Sequence, residues 1–322
     1  MRPNGRRAAL TNTRDPMPEQ SKNRPKPSPK QRLAALGERL SGAVMVGLVD
    51  LIRLLPYRWR IPFGGWFFSR VLAPLVGYRR RIKNNLRLTG IDLPPDEIKR
   101  LARAVPDNMG RSVLEIFSPE NLHDVTLATP FEGEGMSAVE AARAKGQPVI
   151  FVSGHFGNYD VIRTGFAARG FPLGGLYRRM NNRYFNDRYV AAISAAGSPL
   201  FERGRKGMAQ MVKHLKEGGS LALLIDQHMG AGEPLTFFGQ TAYTALSAAQ
   251  LALKYDALVI PCYAIRQPDG MSFRVELEAP IAHSTAAEMT QALNDSLERR
   301  VRENMGQWLW VHRRWKGAGR KA

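Results

Sequence analysis

The chain has 322 residues, 44% of them hydrophobic and 23% charged, the composition of an ordinary globular protein long enough to bury a substantial core. Lys and Arg number 47 against 28 acids, a net charge of +19 that favours anionic partners: nucleic acid, an anionic lipid surface, a phosphorylated substrate or an acidic carrier protein. The one cysteine, Cys262, excludes an intrachain disulfide and a cysteine-based structural zinc site.

Residues 1–32 are rich in Pro, Asn, Lys and Arg and lack apolar periodicity, so they are expected to form a disordered basic tail. The first apolar segment begins near Leu40, too far into the chain for a signal peptide. From there Leu40, Val44, Leu48, Leu51 and Leu55 recur at helical spacing, with Arg39, Asp50 and Arg53 on the opposite face. The spacing predicts an amphipathic helix whose uncharged stretch, residues 40–49, is far short of the roughly 20 apolar residues that span a bilayer. Aromatics in Ile61-Pro-Phe-Gly-Gly-Trp-Phe-Phe-Ser69 then stand beside Arg58, Arg60 and Arg70, a mixture suited to lipid headgroups. Residues 33–75 are therefore read as membrane-associating helices, the alternative being a helical hairpin that covers the core.

A helical stretch to about Phe117 follows, and then the pattern changes. Strands are predicted at 148–153, 173–177, 220–225 and 258–265, separated by helices at 161–169, 186–196, 208–217 and 242–255. Such alternation predicts an α/β domain over residues 76–316, a largely parallel sheet flanked by helices, with a short tail at 317–322. Sites in this architecture collect at the carboxyl ends of strands. Cys262 falls in an apolar strand and reads as a small buried residue.

The segment Val149-Ile-Phe-Val-Ser-Gly-His-Phe-Gly-Asn-Tyr-Asp160 ends a buried strand at Gly154 and puts His155 at its tip. A turn permitted by Gly154 and Gly157 would bring Asp160 beside the imidazole, where a carboxylate fixes the tautomer while the other ring nitrogen takes a proton from an attacking hydroxyl. His228 to Glu233 and His283 to Glu288 share the His-x4-acid spacing, but only His155 has an apolar strand before it and flanking glycines.

Two basic clusters are candidate anion ligands. Arg178, Asn181 and Asn182 follow the next strand, expected to lie beside that of His155, and Arg203, Arg205 and Lys206 open a helix. Asp226 and Gln227 end a further strand, where the acid would order arginines or cap a helix. The aromatic ending Gln307-Trp-Leu-Trp-Val-His-Arg-Arg-Trp-Lys316 reads as core packing. Serine elbow and phosphate-loop motifs are absent, which favours direct attack by an acceptor hydroxyl over a covalent acyl-enzyme. No metal or cofactor is expected.

Taken in order, Arg79-Arg-Arg-Ile-Lys-Asn-Asn-Leu86, Gly154-His-Phe-Gly-Asn-Tyr-Asp160, Tyr177-Arg-Arg-Met-Asn-Asn182, Lys206-Gly207, Asp226-Gln227 and Trp310-Val-His-Arg-Arg-Trp-Lys316 resemble the late acyltransferases of lipid A biosynthesis. Many members of that family carry Glu where this chain has Asp160. The resemblance implies an acyl carrier protein thioester as donor, a phosphorylated glucosamine lipid as acceptor and attachment to the cytoplasmic face of the inner membrane, with no nucleic acid partner. The alternatives are an acyltransferase for another lipid, such as a phosphatidylinositol mannoside or glycerophospholipid, and a non-catalytic basic protein that binds membranes or nucleic acid.

Overall fold

The computed structural model describes residues 28–317, so most of the expected disordered tail, and the end of the C-terminal one, lie outside the described residues. Helix α1 (Pro29–Arg53) already begins within the stretch assigned to that tail. α2 (Tyr57–Phe67) continues through a π-turn at Phe68–Leu72 into α3 (Ala73–Leu75), and α4 (Tyr78–Leu88), α5 (Pro95–Ile116) and α6 (Pro119–Ala128) follow. Strands and helices then alternate as β1 (Phe131–Glu132), α7 (Gly135–Ala144), β2 (Val149–Ser153), α8 (Asp160–Ala168), β3 (Leu173–Tyr177), α9 (Arg183–Ala195), β4 (Leu200–Glu202), α10 (Arg205–Lys216) and β5 (Ser220–Leu224). The hairpin β6 (Glu233–Phe237) and β7 (Gln240–Thr244) precedes α11 (Ser247–Tyr255), β8 (Leu258–Arg266), β9 (Phe273–Leu277) and α12 (Ala286–Glu303).

Seven strands form one sheet in the order β1-β9-β8-β2-β5-β3-β4, parallel except where β8 meets β9. The α/β reading with a largely parallel sheet is correct. Successive side chains of a strand point to opposite faces, and β2 shows the consequence. Ile150 and Val152 pack with Met211 and Leu215 of α10, Ala248 of α11 and Leu293 of α12. Val149 and Phe151 pack with Leu122 of α6, Val139 of α7 and Phe166 of α8. Both faces are thus covered by helices, which is why the strands read as continuous apolar runs. Cys262 is fully buried among the second group, and burial pushes its thiol pKa up, away from reactivity.

Two expectations fail here. The helix expected at 242–255 starts only at Ser247, because 240–244 is the second strand of the hairpin. Its turn is made by Phe238 and Gly239, both at positive φ (53° and 68°), and a phenylalanine in that conformation gives no turn signal in the sequence. In addition, β3 does not lie beside β2: β5 is inserted between them.

The apolar stripe foreseen in α1 exists, but it faces outward. Leu40 is 60% exposed and Val44, Leu48 and Leu51 are also exposed, as are Trp59, Phe63 and Trp66 of α2. The domain is gripped from the other side of α1, where Val49 joins Phe117, Phe185 and Ile193, and Gly42 sits against Tyr184. No helix among the described residues is long and apolar enough to cross a membrane.

α2 and α5 approach backbone to backbone through glycines. A Cβ on Gly110 would stand 2.2 Å from the Gly64 carbonyl oxygen, whereas one on Gly47 of α1 would meet nothing within 4 Å. Gly110→Val should therefore destabilise the protein by about 1–3 kcal/mol through forced separation of the helices. Gly47→Ala should stabilise it by about 0.5–1 kcal/mol through helix propensity. Urea unfolding of the two variants beside the wild type checks both signs.

Candidate functional site

β2 and β5 run parallel with Ser153 paired to Leu224, so two residues further on His155 and Asp226 leave the sheet together. The Asp226 carboxylate holds residue 155 twice. Its Oδ2 accepts from the His155 backbone N–H at 2.7 Å, and its Oδ1 lies 2.7 Å from His155 Nδ1. Oδ2 also accepts from the indole N–H of Trp308 at 2.8 Å. An ionised carboxylate only accepts, so Nδ1 carries a proton, and in the neutral imidazole Nε2 keeps its lone pair. The amide nitrogen of Gln227 lies 3.2 Å from that Nε2 and donates to it. Asp226 is buried, while the imidazole is 21% exposed, so Nε2 is the face a substrate meets.

The electrostatics follow from this arrangement. Burial pulls the His155 pKa down, but the charge and hydrogen bond of Asp226, with a smaller push from Asp160, leave it raised above the ordinary imidazole value. Burial pushes Asp226 up, yet the charge of His155, its two hydrogen bonds and that of Trp308 bring the carboxyl to about 2. The charged pair is therefore favoured between these limits. Its stabilisation is lost as pH falls through about 2 and as it rises through the raised imidazole value.

Asp160, expected to orient His155, is elsewhere in contact. It is the first residue of α8, where residues three apart are neighbours, and its carboxylate bonds Arg163 at 3.1 Å with both side chains buried. Burial raises its pKa, opposed by Arg163 and more weakly by His155. With Ser153, Tyr159 and Leu176, this pair lines a cavity of about 60 Å³ beneath the strand ends. The buried Ser153 hydroxyl and Arg163 Nε have no protein partner there among the described residues, and the space is enough for ordered water.

The turn between His155 and Asp160 is fastened from behind. Arg266, at the end of β8, forms a bidentate pair with the fully buried Glu115 of α5, and Asn158 donates to the same carboxylate at 2.8 Å. Asn108 and Ser112 of α5 both donate to the Gly157 carbonyl, at 3.0 and 2.9 Å, and the Gly157 N–H donates to the Gln307 carbonyl at 3.0 Å. A Cβ on Gly157, whose φ is 56°, would stand 1.8 Å from the Ala264 carbonyl oxygen, so only glycine fits.

The anion clusters lie further out. Arg178 is exposed and bonds Asn181 at 3.1 Å. Asn182 caps α9, accepting from Tyr184 and Phe185, and donates to the Glu38 carbonyl of α1, so it docks helices instead of facing a crevice. Arg203, Arg205 and Lys206 are exposed at the start of α10, Arg203 reaching Met229 Sδ at 3.7 Å. With β5 inserted, Asp226 and Gln227 meet His155 while Arg178 stands one strand further away. The sequence reading missed Trp308, Glu115 and Arg266. Each is a polar group embedded in an apolar or helical run, and only the sheet order brings them to this turn.

Comparison with known proteins places the chain among enzymes. The family model described as "Bacterial lipid A biosynthesis acyltransferase" matches residues 28–317. The chain is 23% identical over 281 residues to the lipid A biosynthesis lauroyltransferase of Escherichia coli (strain K12), covering 84% of this chain and 90% of that protein. It is 22% identical over 261 residues to a lipid A biosynthesis acyltransferase of Haemophilus influenzae, covering 78% and 81%. At 22% over 273 residues, covering 78% and 86%, it is similar to the phosphatidylinositol mannoside acyltransferase of Mycobacterium tuberculosis (strain ATCC 25618 / H37Rv).

Asp226→Asn removes the main upward influence on His155 while the downward pull of burial stays, so the imidazole pKa should fall below its wild-type value. Asp160→Asn should lower it less. NMR titration of the His155 ring reads both, and a larger fall in Asp160→Asn would make Asp160 the orienting carboxylate after all.

Proposed function

Because the chain belongs to the bacterial lipid A biosynthesis acyltransferase family, and so is a lipid acyltransferase, we propose that His155 is the general base that activates a lipid hydroxyl and that Asp226 is its orienting carboxylate. The hydroxyl takes the place of the Gln227 amide at Nε2 and gives up its proton as its oxygen attacks the carbonyl carbon of an acyl thioester. Asp226 stabilises the imidazolium so formed. As the tetrahedral intermediate collapses, the C–S bond breaks and the proton passes from Nε2 to the departing sulfur. The observation that carries this reading is the pairing of a solvent-reachable Nε2 with an Nδ1–H held by a buried carboxylate.

The donor we propose is an acyl carrier protein thioester, and the acceptor a phosphorylated glucosamine lipid of the lipid A type. The +19 charge supports both, since an acidic carrier and a phosphorylated lipid are each drawn to a basic face. The outward apolar stripe of α1 with the aromatics of α2 supports a protein lying on a membrane surface, with the exposed Arg58 and Arg70 available to anionic headgroups. That the surface is the cytoplasmic face of the inner membrane belongs to the same proposal. Similarity to a phosphatidylinositol mannoside acyltransferase favours a second reading, in which the same machinery acylates a different glycolipid. Mass spectrometry of the products formed from each acceptor with one acyl carrier donor separates the two.

His155→Ala should cut transfer by about 10²–10⁴ while the protein still folds, because the strand before it is intact. In the wild type kcat/KM should rise with pH through the raised imidazole pKa, since only neutral His155 is a base. Asp226→Asn should lower the rate and move that acid limb to lower pH. A folded His155→Ala enzyme with wild-type turnover would remove the assignment.

A further inference from the structure

The basic block of α4 has no part in the site described so far. Arg79, Arg80, Arg81, Lys83 and Arg87 crowd eleven residues that contain no acid. Some surface arginines of this protein are paired with acids, as Arg100 with Glu97, Arg302 with Glu298 and Arg188 with Asp50, and others, such as Arg178 and Arg203, have no acid partner among the described residues. Arg80 is exposed and, among the described residues, makes no ion pair, and Arg313 of the C-terminal segment is in the same condition. Arg81 donates only to the Val311 carbonyl, at 3.3 Å, and lies over the Tyr78 ring.

The three guanidinium groups share one hollow. With Gly77, Asn84 and Asn85 they line a space of about 410 Å³, and among the described residues no acid faces it. The arrangement is built, because Asn85 donates to the Trp310 and His312 carbonyls at 2.6 and 2.8 Å and so fixes the C-terminal segment, with Arg313, against α4. Holding like charges together costs free energy that a bound anion offsets. Guanidinium forks match phosphate oxygens bidentately, and the free Asn84 amide adds a further donor at the rim.

The two edges of the hollow say where the phosphate comes from. One is apolar and outward: Val76 is exposed beside Leu75, which is 79% exposed. The other is the C-terminal segment, where His312, next to Arg313, accepts from the backbone N–H of His228 at 2.9 Å, two residues beyond the Asp226 that holds His155. A phosphate held there on a lipid keeps its acyl chains toward the apolar edge and its remaining headgroup toward Nε2. We propose that Arg80, Arg81 and Arg313 form a binding site for the phosphate group of a lipid, placing its hydroxyl for acylation. This rests on the lipid-acceptor reading only for the last clause.

The test uses the full chain, the Arg80→Gln/Arg313→Gln double variant, whose side chains support no part of the fold, and the corresponding Lys pair. Probes are a short-chain phosphatidic acid, the matching diacylglycerol and inorganic phosphate. The double variant should lose affinity for phosphatidic acid by roughly tenfold or more, with diacylglycerol unchanged and the Lys pair between, and its KM for a phosphorylated acceptor should rise in step. Undiminished affinity for phosphatidic acid would overturn the site. So would inorganic phosphate binding as tightly as the lipid, which would mean a free-anion site, or a rise confined to the KM of the carrier donor, which would mean an acidic protein docks there. Arginine-dependent lipid binding by a wild-type protein that transfers no acyl group would instead sink the functional reading and leave the site standing.

Discussion

The two bonds that Asp226 makes to residue 155 are the constraint around which the rest is arranged. A backbone N–H and a ring nitrogen of the same residue are held by one carboxylate, so the carboxylate is fixed relative to the main chain and the imidazole cannot rotate without giving up its bond to it. That carboxylate is in turn fixed by the indole of Trp308. Three distant parts of the chain, the ends of β2 and β5 and the segment after α12, therefore meet at one acid. The parallel register of β2 and β5 makes the meeting possible, and the buried Trp308, Trp310 and Trp315 keep the C-terminal segment in place. Among these aromatics Arg314 is buried too, bonded to the Tyr243 carbonyl and Thr244, and burial brings its pKa down to about 10.

A second buried charge pair secures the turn from the opposite side. Glu115 and Arg266 are both out of solvent; Asn158 donates to the carboxylate, and Asn108, Ser112 and the Gly270 carbonyl accept from the guanidinium. Removing one partner of such a pair typically costs about 3–5 kcal/mol, because the other charge is left uncompensated. The pair is thus weak evidence for net stability but strong evidence for specificity of geometry. It leaves the Gly154–Asp160 turn one position, with Asn158 bonded to Glu115 and Gly157 pressed on Ala264. The base catalysis proposed for His155 needs that restriction, since a misplacement of about 1 Å costs on the order of a hundredfold in rate.

How far the sequence could be read depended on whether a contact is local. The strands at 149–153, 173–177, 220–224 and 258–266 were legible from apolar runs, and His155 from the glycines that end the first of them. The partner of His155 was not legible in the same way. Asp160 is five residues off and Asp226 seventy-one, so spacing along the chain favours the nearer acid, whereas the place of β5 between β2 and β3 brings the farther one to the ring. In the sequence Asp226 reads only as an acid that would order arginines or cap a helix, because its contact with the ring follows from strand order, and no periodicity encodes strand order. Asn182 misled for a related reason: an Asn after a strand and before a helix is as good a helix cap as a ligand, and here its oxygen caps α9. The hairpin was lost because a Phe at φ 53° carries no turn chemistry in its name.

The exposed stripe of α1 shows why an amphipathic pattern alone does not say which way a helix faces. The periodicity of Leu40, Val44, Leu48 and Leu51 normally marks a face turned to the core, yet here the core contact is made by Val49 and by Gly42 against Tyr184, on a different side. α9 thus holds one side of α1, and the Leu side is left exposed. Since Asn182 and Arg183 of α9 bond Glu38 and Asn182 follows the β3 end, the helix that offers apolar surface is mechanically tied to the sheet that carries the site. On the function proposed above, that tie matters, because the height of His155 above a lipid surface is then set by the fold and not by a tether.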